Sequence, residues 1–131
     1  AGVGSWGPVQ GEGYAFRDVR VTDSWFFHNP GQPDKTDNHS GNGLVLGDCE
    51  RAVVERCAAW GNGADCNYPG GGPVGIWLVE SRASVIRDCV SFHNRTGAGS
   101  LDGGGFDLDG GAVGCVIERC LSYGNDGAGY L

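Results

Sequence analysis

Val53-Val54-Glu55-Arg56-Cys57-Ala58-Ala59-Trp60-Gly61-Asn62-Gly63 decides the fold, because it occurs three times. It returns as Val85-Ile86-Arg87-Asp88-Cys89-Val90-Ser91-Phe92-His93-Asn94 and again as Val116-Ile117-Glu118-Arg119-Cys120-Leu121-Ser122-Tyr123-Gly124-Asn125. The cysteines stand 32 and then 31 residues apart. A fixed period of this size marks stacked structural units. A shorter phrase precedes each copy: Gly43-Leu44-Val45-Leu46, Gly75-Ile76-Trp77-Leu78 and Gly105-Phe106-Asp107-Leu108. Two fainter signals extend the series. Phe16-Arg17-Asp18-Val19 lines up with Ile86-Arg87-Asp88-Cys89, and Gly129-Tyr130-Leu131 reads as the start of one more unit.

The units are not helical. Gly makes up 26 of 131 residues, and each interior Gly costs a helix about 1 kcal/mol against Ala. No window carries apolar residues at helical spacing over three turns. The apolar runs are short, β-branched or aromatic, and bounded by Gly, Asn and Asp, as strands are. This excludes ankyrin and tetratricopeptide repeats, and the absence of a spaced-leucine phrase disfavours leucine-rich repeats. Short strands returning once per unit predict an all-β parallel solenoid of about four coils. Successive coils stack at about 4.8 Å, and each buries its inner face only with its neighbours.

These phrases resemble the right-handed parallel β-helix repeat of the pectate lyase-like superfamily, over roughly residues 14–131. Gly105-Phe106-Asp107-Leu108-Asp109-Gly110-Gly111 followed by Val116-Ile117-Glu118-Arg119-Cys120 carries the resemblance best. The resemblance implies a secreted, extracellular protein acting on polysaccharide. The Asn-Thr-Asp and Gly-His-Gly phrases of polygalacturonases are absent, as is the Asp-Pro-His-Glu phrase of alginate epimerases. Of the pectate lyase set of calcium-binding Asp plus Lys, only the Asp part is partly matched.

The length predicts a single domain over residues 1–131. Net charge is −7, with 9 Lys and Arg against 16 Asp and Glu, which argues against nucleic acid or an anionic membrane as partner. No apolar run approaches the about 20 residues of a membrane span, and no signal peptide pattern opens the chain. Ala1-Gly2-Val3-Gly4-Ser5-Trp6 contains no amphipathic cap helix, and the last phrase stops within a strand. Solenoids need polar caps, so the sequence reads as part of a longer β-helix, with possible homo-oligomer contacts through open coil ends.

Six cysteines invite three disulfides, but the alignment argues otherwise. Cys57, Cys89 and Cys120 hold one place in successive coils and are expected to form a reduced, inward ladder. Cys115 aligns with Ala52 and Ser84, Cys49 with Ser81 and Gly111, and Cys66 falls in a loop. No Cys-x-x-Cys spacing suggests zinc.

Alternation along the first strand sends Leu44, Leu46, Ile76, Leu78, Phe106 and Leu108 inward. Val45, Trp77 and Asp107 then form one outward column, with Gly47, Val79 and Asp109 in the next. An exposed Trp beside two carboxylates offers a flat apolar face to a sugar ring and acid groups to its glycosidic bond. Insertions at one corner, from His28 to Asn42, Asp65 to Pro73 and Arg95 to Gly104, bring Lys35, Asp37, His39, Tyr68, Arg95 and Asp102 toward this column. The candidates are therefore Asp107, Asp109, Arg95 and His39 as catalytic groups, with Trp77, Tyr68 and Asp102 holding substrate. Asp102, Asp107 and Asp109 are the candidate Ca2+ ligands. His93, replacing Gly61 and Gly124 at a turn, is expected to be structural.

Three functions compete. The first is a polysaccharide lyase or glycoside hydrolase that binds its polysaccharide or oligosaccharide along the outward column, using two carboxylates or calcium with a basic residue. The second is a non-catalytic structural or sugar-binding module, and the third a self-assembling β-helix segment.

Overall fold

The computed structural model describes residues 3–5 and 13–131. The cap expectation for Ala1–Trp6 thus falls partly outside the described residues. All the described elements are short parallel strands, in three four-stranded sheets and one two-stranded sheet. The first sheet stacks β1 (Val3–Ser5), β5 (Leu44–Gly47), β9 (Val74–Val79) and β12 (Gly104–Leu108). The second stacks β3 (Arg20–Thr22), β7 (Val53–Glu55), β10 (Val85–Arg87) and β13 (Val116–Glu118). The third stacks β4 (Trp25–Phe27), β8 (Ala58–Trp60), β11 (Val90–Phe92) and β14 (Leu121–Tyr123). The minor pair is β2 (Phe16–Arg17) with β6 (Cys49–Glu50). The chain thus passes from sheet to sheet around each coil and advances one rung per repeat.

The register confirms the sequence alignment. Val54, Ile86 and Ile117 are in line, as are Ala59, Ser91 and Ser122. Leu44, Leu46, Ile76, Leu78 and Phe106 fill the interior from the first sheet, against Val54, Ile86, Phe26 and Ala59 from the other two. Tyr130 bridges to Phe106 and stacks on its ring at 5.6 Å, as expected of a further unit.

Two alignments need correction. Phe16-Arg17 pairs with Cys49-Glu50, whereas Val21 and Thr22 are in register with Val54 and Glu55. The phrase beginning at Phe16 therefore serves the corner before the one its sequence suggests. The two corners look alike because each turns on an aspartate with positive φ, Asp18 at 54° and Asp23 at 52°. Likewise, Arg82 pairs with Val113, which sets Ser81 opposite Ala112. Gly111, with φ 77°, is the extra residue in that coil.

Corners recur as vertical columns of left-handed residues. One runs Asp23, Arg56, Asp88, Arg119, with φ of 51–52°. Non-glycine residues resist this conformation at a cost of order 1–3 kcal/mol each. Bidentate ion pairs offset part of that cost: Arg56 forks Asp23 at 2.7 and 2.8 Å, and Arg119 forks Asp88 at 2.8 and 2.9 Å. The next corner alternates His28, Gly61, His93, Gly124. A Cβ on Gly124 would clash with the His93 ring, so a bulky residue on one rung requires glycine on the next. The His93 ring packs edge-on against Phe92 and Tyr123 at this turn.

Among the described residues, no disulfide joins any of the six cysteines. Cys57 and Cys89 are buried in the core and Cys120 packs against it, with the Cys57 N–H donating to Cys89 Sγ at 3.4 Å. Hydrogen bonds to Cys120 and Cys57, together with burial, push the Cys89 thiol up. Titration with a thiol reagent is expected to count six thiols in denaturant without reductant. In the native protein Cys115 and Cys120, the two partly exposed ones, should react first. A count of two or fewer in denaturant would overturn the reduced ladder, since two disulfides must use at least one of Cys57, Cys89 and Cys120.

A second ladder is polar. Asn29, Asn62, Asn94 and Asn125 occupy one position in successive coils and hydrogen-bond in series. Asn29 Nδ2 donates to Asn62 Oδ1 at 2.8 Å, Asn62 Nδ2 to Asn94 Oδ1 at 2.9 Å, and Asn94 Nδ2 to Asn125 Oδ1 at 2.9 Å. Backbone amides of Asn29, Asn62 and Asn94 donate to the same oxygens. Asn62 and Asn94 are each 1 % exposed. A planar amide with a donor on one side and an acceptor on the other repeats indefinitely along a parallel stack, which an ionised aspartate cannot do. The ladder joins the third sheet to the loops that roof the first. It also removes Asn94 from consideration as a glycan acceptor, although Asn94-Arg95-Thr96 fits the sequon.

Candidate functional site

The outward column exists as expected: Val45 is in register with Trp77, and Trp77 with Asp107. The expected exposure is wrong. Trp77 is 3 % exposed, Asp107 7 % and Val45 9 %. Val45, Val74, Trp77 and Val79 form a second apolar cluster outside the main core. The inserted loops roof the column instead of standing beside it. Strand alternation identifies the face, but it is blind to what the loops cover.

The roof is tied together by specific polar contacts. His39 packs edge-on against the Trp77 ring, at 5.0 Å between centroids. Asn42 Oδ1 accepts from the Val74 N–H at 2.9 Å, so its amide nitrogen faces His39 Nδ1, 2.7 Å away. That contact places the imidazole proton on Nε2. Burial lowers the His39 pKa, against a raising pull from Asp109. Gly72 lies against His39, and a Cβ there would meet His39 Cβ at 2.9 Å. The Gly72 and Gly104 N–H groups donate to Asp102 Oδ2 and Oδ1, at 2.9 and 3.1 Å. Asp102 thus staples two roof loops together.

Two groups under this roof have no hydrogen-bonding partner among the described residues. Trp77 Nε1–H is buried and donates to nothing. Asp107 makes no side-chain hydrogen bond, and burial first, then the charges of Asp109 and Asp102, raises its pKa to about 6. Asp109 is exposed just beyond β12, with Oδ1 accepting from the Gly110 N–H at 2.6 Å. Next to Asp102 is an open recess of about 450 Å³, lined by Pro69, Gly70, Gly71, Leu101, Ala128 and Leu131.

The structure therefore brings His39, Trp77, Asp107, Asp109 and Asp102 into one neighbourhood. Arg95 faces elsewhere: its guanidinium pairs with Asp126 at 2.9 Å, pinning its loop to the following coil. Lys35 is held by Asp37 at 2.7 Å. Tyr68 is half-buried, and its ring lies over Gly70. Among the described residues no group of three or more His, Cys, Asp or Glu is arranged to hold a metal ion. The expected set of Asp102, Asp107 and Asp109 fits calcium poorly, since both Asp102 oxygens already bind amides.

Residues 11–131 match the family described as the right handed beta helix region. The chain belongs to that family. No curated protein and no solved structure matches it. For this right-handed β-helix, the family accounts for the stacked coils and does not extend to the chemistry. Sequence reading found the Val45–Trp77–Asp107 column but missed the asparagine ladder. The signal was present as a Gly-Asn or His-Asn pair in each coil, at residues 28–29, 61–62, 93–94 and 124–125.

Proposed function

We propose that this right-handed β-helix is carbohydrate-active, taking the end of a neutral glycan under the loop roof and acting on it as a hydrolase. The observation that carries the reading is the pairing, on adjacent rungs, of a buried indole N–H that has no partner among the described residues with a carboxyl whose pKa is raised chiefly by burial. Buried polar groups in folded proteins are almost always hydrogen-bonded. A sugar hydroxyl both accepts and donates, and so satisfies the two groups together. A carboxyl with a pKa of about 6 keeps its proton in mildly acidic solution, as a general acid must. Asp109, exposed and two residues away, is the partner that would activate water. A lyase mechanism has less support, because it needs a free basic group and Arg95 and Lys35 are both engaged by acids. The surrounding carboxylates also disfavour uronates.

The test is a panel of neutral oligosaccharides, read by tryptophan fluorescence for binding and by new reducing ends for cleavage. Asp107→Asn is expected to lower cleavage at least about 100-fold with binding retained. Trp77→Phe, which keeps the ring and loses the donor, should weaken binding about 10-fold. Binding without cleavage by the unaltered chain would favour the non-catalytic sugar-binding module. No binding by any sugar would overturn the proposal.

A further inference from the structure

The third sheet presents a different surface. Its outward side carries a stack of rings, Phe27 on Trp60 at 4.6 Å, Trp60 on Phe92 at 5.6 Å and Phe92 on Tyr123 at 5.1 Å, all within 10° of parallel. Beside it runs the column Trp25, Ala58, Val90, Leu121, with Trp25 71 % and Leu121 58 % exposed. The rings are stacked on one another and turn their edges outward, so they suit an apolar protein surface better than a sugar ring seeking a flat face.

Charge selects the occupant. The corner column bordering the face reads Asp23, Arg56, Asp88, Arg119. The adjacent outward column of the second sheet reads Thr22, Glu55, Arg87, Glu118. Turned end for end, the first column reads Arg119, Asp88, Arg56, Asp23. Laid against itself in that order, every acid meets a base. In the second column Glu55 and Arg87 likewise exchange partners. A two-fold axis along the strand direction performs this operation, and a self-complementary patch is what an isologous contact requires. The net charge of −7 does not oppose the contact locally. The two columns hold Asp23, Glu55, Asp88 and Glu118 against Arg56, Arg87 and Arg119, so acids and bases nearly balance there.

We infer that the third sheet pairs face to face with the same sheet of a second copy, the two solenoid axes antiparallel, as a closed two-fold dimer. Four rungs about 4.8 Å apart and strands of three residues give a face of only about 20 by 10–15 Å. Even with its charged flanks it falls in the size class of weak contacts, so the dimer forms at roughly micromolar to millimolar concentrations.

Sedimentation equilibrium across a concentration series tests this. The expected result is a monomer–dimer equilibrium that weakens with added salt and stops at two copies. Leu121→Ser, on the exposed face, should raise the dissociation constant at least about 10-fold. Asp23→Arg sets one guanidinium against another, that of Arg119, at both ends of the contact and should have a similar effect. Asp23→Arg with Arg119→Asp leaves the column complementary under the two-fold, although it breaks the alternation within each copy. The double variant should therefore recover dimerisation that the single variant loses, and thermal melts check that both are folded. Monomer at every concentration, open-ended growth beyond two copies, or a double variant as weak as Asp23→Arg would each overturn the inference.

Discussion

Asn62→Ala is expected to lower the melting temperature by about 10–20 °C. Asn62 is the most connected member of its ladder. Its oxygen accepts from the Asn29 amide and side chain, and its nitrogen donates to Phe26 O at 3.0 Å and to Asn94 Oδ1 at 2.9 Å. Truncation strands all of these groups at a site only 1 % exposed. Each buried polar group left unpaired costs about 1–3 kcal/mol, and partial relaxation brings the total to about 4 kcal/mol. For a domain of this size each kcal/mol is worth about 3–5 °C. Calorimetry or circular dichroism checks the figure, and a fall smaller than about 3 °C would show that the ladder carries little stability. Asn125→Ala, on the last full rung and partly exposed, should cost clearly less.

The second large effect belongs to Asp107. Its pKa rises from the ordinary 3.8 to about 6 because burial and the negative neighbours Asp109 and Asp102 disfavour the charged form. The folded state therefore holds its proton more tightly than the unfolded chain. The sign follows from linkage: the associated stability is fully present below pH 3.8 and is lost as the pH rises through about 6. Above that pH the ionised carboxylate costs about 2 kcal/mol, allowing for screening by solvent. Asp107→Asn removes the charge while keeping the shape. It should stabilise the protein by about 2 kcal/mol at about pH 8 and change little at about pH 4. Urea unfolding at both pH values measures the difference. Equal effects at the two pH values would mean that the carboxyl is not perturbed, and would weaken its assignment as an acid. A variant that gains stability as it loses cleavage is the pattern expected of a functional group held at a cost to the fold.

The scaffold was legible because a solenoid repeats its contacts. Each coil solves the same packing problem as its neighbour, so Val54, Ile86 and Ile117, or Cys57, Cys89 and Cys120, declare their equivalence in the sequence. One of the two misalignments, that of Phe16-Arg17-Asp18-Val19, arose for the same reason. Two corners of a coil impose one backbone requirement, an aspartate at positive φ, and the sequence does not say which corner it serves. The asparagine ladder was equally readable in principle, since its residues recur with the same period.

The thrice-written phrase thus determined the parallel coils, the register, the inward and outward sides of each strand and the inward stacking of Cys57, Cys89 and Cys120, all of which follow from local alternation and a constant period. Only the tertiary structure decided the state of the Trp77–Asp107 column. Its roof is built from loops that differ in every coil and meet through single contacts, His39 on Trp77 and Asp102 on two amides. Such contacts link one coil's loop to the next, as Asp102 reaches Gly72 across 30 residues, with no repeating pattern to announce them. Burial by that roof, which no strand period encodes, is what raises the Asp107 pKa and leaves the Trp77 indole without a partner.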